Sequence, residues 1–232
     1  MSLLEEFYKG HMIVVNYDEV YQDESPREWD NFGTMMCWHN RYILGDKHKH
    51  NSPENFIYFF LADNHEDLYD KLERYCERKG NQLGYNWGAT LEELMAVFNK
   101  VALVLPLYLY DHNGISMSTS SGHYPFCDPW DSGQIGFIYI TYEDLKKEFK
   151  RKKLSKKLIE RGEEYLRQEV DTYDRYLRGE YYKYEIYPCV EEEEDYVWDD
   201  DDCVADGYGF ISEEFALSEA KNTVDYLIKE NK

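Results

Sequence analysis

Apolar runs and two kinds of spacing divide the chain into recognisable elements. Ile13-Val14-Val15 is a short apolar run that reads as a strand, and an acidic loop follows it through Glu24. Thr34 to Ile43 is rich in aromatics and reads as extended, closed by a Gly45-Asp46 turn. Phe56 to Leu61 is continuously apolar, a length that fits either a strand or the opening of a helix. Asp63 or Asn64 then caps a predicted helix to Arg78, with Leu68, Leu72 and Tyr75 on one face and Lys79-Gly80 as its stop. Thr90 and Glu93 have the spacing of a capping box, and Leu91, Leu94, Met95 and Phe98 form the apolar face behind it.

Val101 to Tyr110 reads as a buried strand. Asn113-Gly114 supplies hairpin chemistry, and Ile115 to Thr119 reads as the return strand. Ser120 to Gly133 is rich in turn residues, and Ile135 to Ile140 alternates like a strand. One helix is predicted from Thr141 or Tyr142 to about Arg151. A second is predicted from Ser155 to about Leu177, with Leu158, Tyr165, Val170, Tyr173 and Leu177 as its stripe. Glu180 to Val190 reads as a strand, Phe210-Ile211 as a short one, and Ser212 caps a final helix. Hairpins outnumber βαβ units, so the predicted class is α+β, a mainly antiparallel sheet flanked by helices. The domain reading is an N-terminal extension over residues 1–11, native or introduced, and a single α+β domain over 12–232 with an acidic segment at 191–206.

Composition constrains function more than fold. Of 232 residues 43% are apolar and 17% aromatic, enough for a real core. The net charge is −21, from 47 acidic against 26 basic residues. Such a balance argues against direct nucleic-acid binding, which needs cations to release counterions. It fits a basic protein partner, a divalent cation, or imitation of a phosphate backbone. Cys37, Cys76, Cys127, Cys189 and Cys203 are odd in number and form no CxxC pair. With no secretory leader and no long apolar run, the expectation is a cytoplasmic protein without a membrane partner.

The charge is also uneven. Lys146 to Arg161 holds nine basic and two acidic residues, and Glu191 to Asp206 holds ten acidic and no basic ones. The basic stretch reads as the solvated face of two helices, or as an anchor for an acidic partner or for this chain's own acidic stretch. The acidic one reads as a solvated loop, an oxygen-rich metal loop without EF-hand spacing, or a recognition surface for a basic groove. In the last reading Glu191, Glu192, Glu193, Glu194, Asp199, Asp200, Asp201 and Asp202 contact the partner, with Tyr196 and Trp198 as anchors.

Two patches mix aromatic, acidic, His and Cys residues. In the second, Asp111, His112 and Asp131 are candidate acid–base groups, with His123 and Cys127 in the same loop. Adjacent residues of a strand face opposite ways, so Asp111 and His112 are not expected to pair. The plain alternative is that Asp111 and Asn113 bond the turn. Cys37 and His39, with His123 and Cys127, are candidate zinc ligands, and His48 and His50 form a second His-x-His. Cys37 or Cys127 is also conceivable as a nucleophile beside a His, though neither sits in a known signature. The plain reading is a buried Cys37 and a hydrogen-bonded His39. No cofactor is predicted, and zinc is the one metal these residue types would suit.

The run SPREWDNFGTMMCWHNRYILGDKH, Ser25 to His48, resembles a signature in a family of uncharacterised proteins from bacteriophages and prophages. The run YDHNGISMSTSSGHYPFCDPWDSGQIGFIYI, Tyr110 to Ile140, resembles the same family's second block. The resemblance covers roughly residues 12–190 and implies a phage origin, with no activity to carry over. Small, strongly acidic phage proteins are similar in strategy to anti-CRISPR and anti-restriction inhibitors. The leading expectation is therefore a phage-encoded acidic binding protein that inhibits a host nucleic-acid-binding defence factor by mimicry. The alternatives are a small enzyme, metal-dependent or not, built on the Asp111–Asp131 patch, and an accessory phage protein without catalytic activity.

Overall fold

The computed structural model describes residues 3–18, 25–83, 89–112, 114–119, 125–126, 130–192 and 195–230. In chain order the elements begin with β1 (Leu4–Tyr8), β2 (His11–Tyr17), β3 (Thr34–Cys37), α1 (Pro53–Asn64), α2 (Glu66–Leu83) and α3 (Leu91–Phe98). They continue with β4 (Ala102–Asp111), β5 (Ile115–Thr119), β6 (Ser132–Thr141), α4 (Tyr142–Glu148) and α5 (Lys156–Leu177). The last are β7 (Tyr182–Pro188), β8 (Val190–Glu192), β9 (Asp195–Val197), β10 (Ala205–Phe210) and α6 (Glu213–Glu230). Two four-stranded sheets and a small hairpin, all antiparallel, stand among the helices, so the fold is α+β.

The chain forms two compact units. Unit 1 comprises residues 1–26 and 172–232, and unit 2 comprises residues 27–171. The sheet of unit 1 runs β1-β2-β7-β10. Strand alternation sends Ile13, Val15, Tyr184 and Ile186 to one face, where Ala216, Ala220 and Val224 of α6 cover them. The small residues recur every fourth position, which lets the helix lie close on the sheet. Met12, Val14, Tyr187 and Cys189 face the other way, under Phe7 and Trp198. Within the stretch read as an extension, Leu4–Tyr8 is the edge strand of this sheet, paired to β2 through a Lys9-Gly10 turn. Asp18 is 1% exposed; its carboxylate accepts from the Gly209 backbone N–H at 2.9 Å and its own N–H donates to Tyr181 O at 2.8 Å.

The sheet of unit 2 runs β3-β6-β4-β5. Phe137 and Tyr139 of β6 point into an aromatic core with Phe56, Phe98 and Met36. Phe56, Phe60, Phe98, Phe137 and Tyr139 meet mostly edge-on or tilted, the arrangement ring quadrupoles favour. Ile138 faces the opposite way, near Gly33 and Leu166, while Leu103 and Leu145 close on Gly162 of α5. Gly136 lets β3 lie close on β6, since a Cβ there would stand 1.9 Å from Met36 O.

Several expectations sharpen. The apolar run at Phe56 is a helix, because Ser52 caps it through the Asn55 N–H at 3.2 Å and Pro53 occupies its first turn. The predicted cap at Asp63 or Asn64 is instead the end of α1, and the chain restarts as α2 at Glu66. The capping box of Thr90 and Glu93 is present. The extended stretch expected over Thr34–Ile43 is a strand only to Cys37, and the helix expected to about Arg151 ends at Glu148.

Candidate functional site

Three constructions carry the residues singled out above. The first is the acidic stretch. Val190–Glu192 and Asp195–Val197 pair as a hairpin, with Glu191 opposite Tyr196. Glu193 and Glu194 lie outside the described residues. Tyr196 stacks on Phe7 with ring centroids 4.5 Å apart, and Trp198 packs against the Met12–Cys189 face. The two aromatics thus fasten the hairpin to the sheet of unit 1. Beyond them Asp199, Asp200, Asp201 and Asp202 are all exposed in one turn, closed by Asp202 N–H donating to Asp199 O at 3.0 Å. The Asp199 carboxylate also accepts from the Asp201 N–H, and Asp200 accepts from the Trp198 indole at 3.2 Å. The four aspartates thus share one turn, whose end Cα atoms stand within about 7 Å of each other.

The charge of the two units differs as strongly. Unit 1 holds 24 acidic and 7 basic residues, a net charge of −17. Unit 2 holds 23 acidic and 19 basic residues, a net charge of −4.

The second construction is the first sequence patch. Arg27 grips Asp46 with two parallel bonds of 2.9 Å, donates to Gly33 O at 2.7 Å and reaches Glu169 at 3.3 Å. Asp46 also accepts from the Met35 N–H, and Glu169 from the N–H groups of Phe32 and Gly33. The Arg27 side chain is 4% exposed. Every oxygen here is turned inward onto backbone or guanidinium, so the network ties loop 27–33 to α5 and presents nothing to a ligand. Trp29 is half exposed, and the Asn31 side chain donates to Trp29 O.

The third construction is a cleft of about 420 Å³ that joins both patches. Trp38, His39, Asn40 and Arg41 line one side, and Asp111, Trp130, Asp131, Ser132 and Gln134 line the other. His112 Nδ1 lies 2.8 Å from Asp131 Oδ2. Asp111 turns the other way, as strand alternation requires, and accepts from Arg41 and from the Tyr42 hydroxyl, each at 3.1 Å. The two aspartates of the patch therefore hold different partners, and the Asp111 carboxylate is taken up by Arg41 and Tyr42. Those two partners give no sign of their role in the sequence, because nothing in the spacing links residue 41 or 42 to residue 111. A larger hollow of about 590 Å³ lies by α4, where Thr141 bonds Asp144 at the helix start and the Asn31 and Asn64 side chains bond Trp29 O and Phe60 O.

The zinc set is not assembled among the described residues, which contain no group of three His, Cys, Asp or Glu placed to hold a metal. His123 and Cys127 lie outside them. Cys37 and His39 separate: the Cys37 sulfur lies against Gly45, while His39 faces the cleft, stacks on Tyr42 and accepts from the N–H groups of Arg41 and Tyr42. Burial, with the Asp46 carboxylate nearby, pushes the Cys37 thiol up to about 12, so it is not a ready nucleophile. Gly45 has φ +69, and a Cβ there would stand 2.6 Å from Met35 O, which is why the turn beside Cys37 needs glycine. His48 Nε2 bonds Cys37 O at 2.9 Å, and the Trp38 indole donates to His50 O, so the second His pair is part of the packing.

No helix among the described residues is long and apolar enough to cross a membrane. Compared with known proteins, the chain matches no family, no curated protein and no solved structure.

Proposed function

We propose that this chain is a phage-encoded acidic binding protein that inhibits a host nucleic-acid-binding defence factor by presenting carboxylates where phosphates would lie. The observation that carries the reading is the concentration of charge: unit 1 bears −17, and its exposed Asp199–Asp202 turn is anchored by Tyr196 and Trp198. A fixed turn of four carboxylates offers a cationic groove a dense anionic surface with little ordering cost. Long-range attraction raises the encounter rate, and the groove releases its counterions as it would on DNA. In this reading Glu191, Glu192, Glu193 and Glu194 contact the same partner. The partner is a basic host protein in the cytoplasm.

The test is capture from host lysate with the intact chain and with Asp199, Asp200, Asp201 and Asp202 all changed to Asn. A nuclease or other nucleic-acid-binding protein should bind the intact chain, weaken as salt rises, and bind the variant at least tenfold less tightly. Equal binding by both chains removes this reading.

A second reading, a small enzyme, is favoured by one observation: the His112–Asp131 contact at the rim of a cleft shared by both sequence patches. In this reading Asp131 orients His112 for proton transfer, while Arg41 and Tyr42 hold Asp111 in the cleft. Binding that survives the four-Asn variant but is lost on His112→Ala moves the assignment to the cleft.

A further inference from the structure

The basic stretch read in the sequence is an elbow between α4 and α5. Lys150 to Lys157 is exposed throughout. Lys156 pairs loosely with Glu160 at 3.7 Å. Among the described residues no ion pair is formed by Lys150, Arg151, Lys152, Lys153 or Lys157, although the chain holds nearly two carboxylates for each cation.

Backbone geometry adds a second observation. Helix α4 ends in a Schellman turn, with Arg151 N–H donating to Lys146 O at 2.7 Å and Lys150 N–H donating to Lys147 O at 3.0 Å. That turn needs a left-handed residue after the cap, normally glycine. Here it is Lys150 at φ 51. Keeping a lysine where glycine would be unstrained places one more charge at the apex of the elbow. Arg161 is held over Phe149 at 4.3 Å from the ring centroid, which fixes a further cation beside it.

We propose that this elbow binds the acidic hairpin of a second copy of the chain, head to tail. Charge complementarity names the occupant. Lys146 to Arg161 carries a net charge of +7 over sixteen residues, and Glu191 to Asp206 carries −10 over sixteen. The overall charge of −21 opposes association, but the elbow belongs to the unit that carries only −4. At about 0.15 M salt repulsion fades beyond about 8 Å, while charges in contact still attract. Because the two surfaces differ, the contact is heterologous and forms rings or open chains. The inference rests on the hairpin being a docking element, as proposed above, and makes self-association a competitor of partner binding.

Complementation tests it. One variant reverses the elbow (K150E, R151E, K152E, K153E) and the other neutralises the hairpin (D199N, D200N, D201N, D202N). Sedimentation velocity at about 0.1 M salt should show oligomers for the parent chain and monomers for each variant alone. An equal mixture of the two variants should recover dimers, since each retains one intact surface, and about 1 M salt should dissolve them. A parent chain that is monomeric at both salts overturns the proposal, as does association that either variant retains alone or a mixture that stays monomeric. Circular dichroism confirms that each variant is folded. Only the hairpin variant should lose host-partner capture, so failure of self-association and failure of the mimicry reading give different results.

Discussion

Arg27 shows how much of the first sequence patch is structural. Its guanidinium is almost out of water and serves Asp46, Glu169 and the Gly33 carbonyl together. Removing it leaves two carboxylates facing inward without their counter-charge. Arg27→Ala should cost about 3–5 kcal/mol, read as a drop in the urea midpoint. Arg27→Lys should recover only part, because an ammonium cannot grip Asp46 in two parallel bonds. A midpoint within experimental error of the parent would show that the network contributes nothing. The sequence placed Arg27 in a dense patch and Asp46 in the turn that closes the next segment, without linking the two. It could not reveal Glu169, which is 142 residues from Arg27 and meets it only once α5 is docked.

At the scale of elements, α2 and α3 are joined through one carboxylate. Glu93 accepts from Lys79 at 2.5 and 2.7 Å, from the Tyr75 hydroxyl at 2.6 Å, and from the Thr90 N–H of its own capping box at 2.8 Å. The Lys79 contact first, then Tyr75 and Thr90, hold its carboxyl down to about 2, against an ordinary value of 4.5. A carboxyl more acidic folded than unfolded stabilises the fold above about 4.5, and that contribution is lost as pH falls toward about 2. Glu93→Gln should therefore lower the melting temperature at about pH 6, with the gap to the parent narrowing by about pH 3. A gap that does not change with pH would place the effect in packing. This element was legible because a capping box is a local pattern. The Phe56 run was not, because six consecutive apolar residues show neither period, even though Phe59 among them is exposed in the helix. The cleft was half legible: each wall is a recognisable patch, but their meeting depends on β3 and β4 both pairing with β6.

At the scale of the whole molecule, the uneven charge belongs to units and not to short segments alone. The α+β class could be read from hairpin signals and helix caps. The division into two units could not, since unit 1 is assembled from both ends of the chain. The total charge of −21 hid a nearly balanced unit 2, and so hid how exposed its basic elbow is to an acidic neighbour.

That same division sets an order of events during synthesis. Unit 2 is contiguous and is complete once residue 171 has emerged. Unit 1 waits for β7, β10 and α6, which take roughly 3–12 s more to translate at about 5–20 residues per second. Until then Ile13 and Val15 of β2 have neither β7 beside them nor α6 over them. Of the two strands that flank β2 in the finished sheet, only β1 has then been made, so the Lys9-Gly10 turn supplies the one pairing open to that edge while the rest is translated.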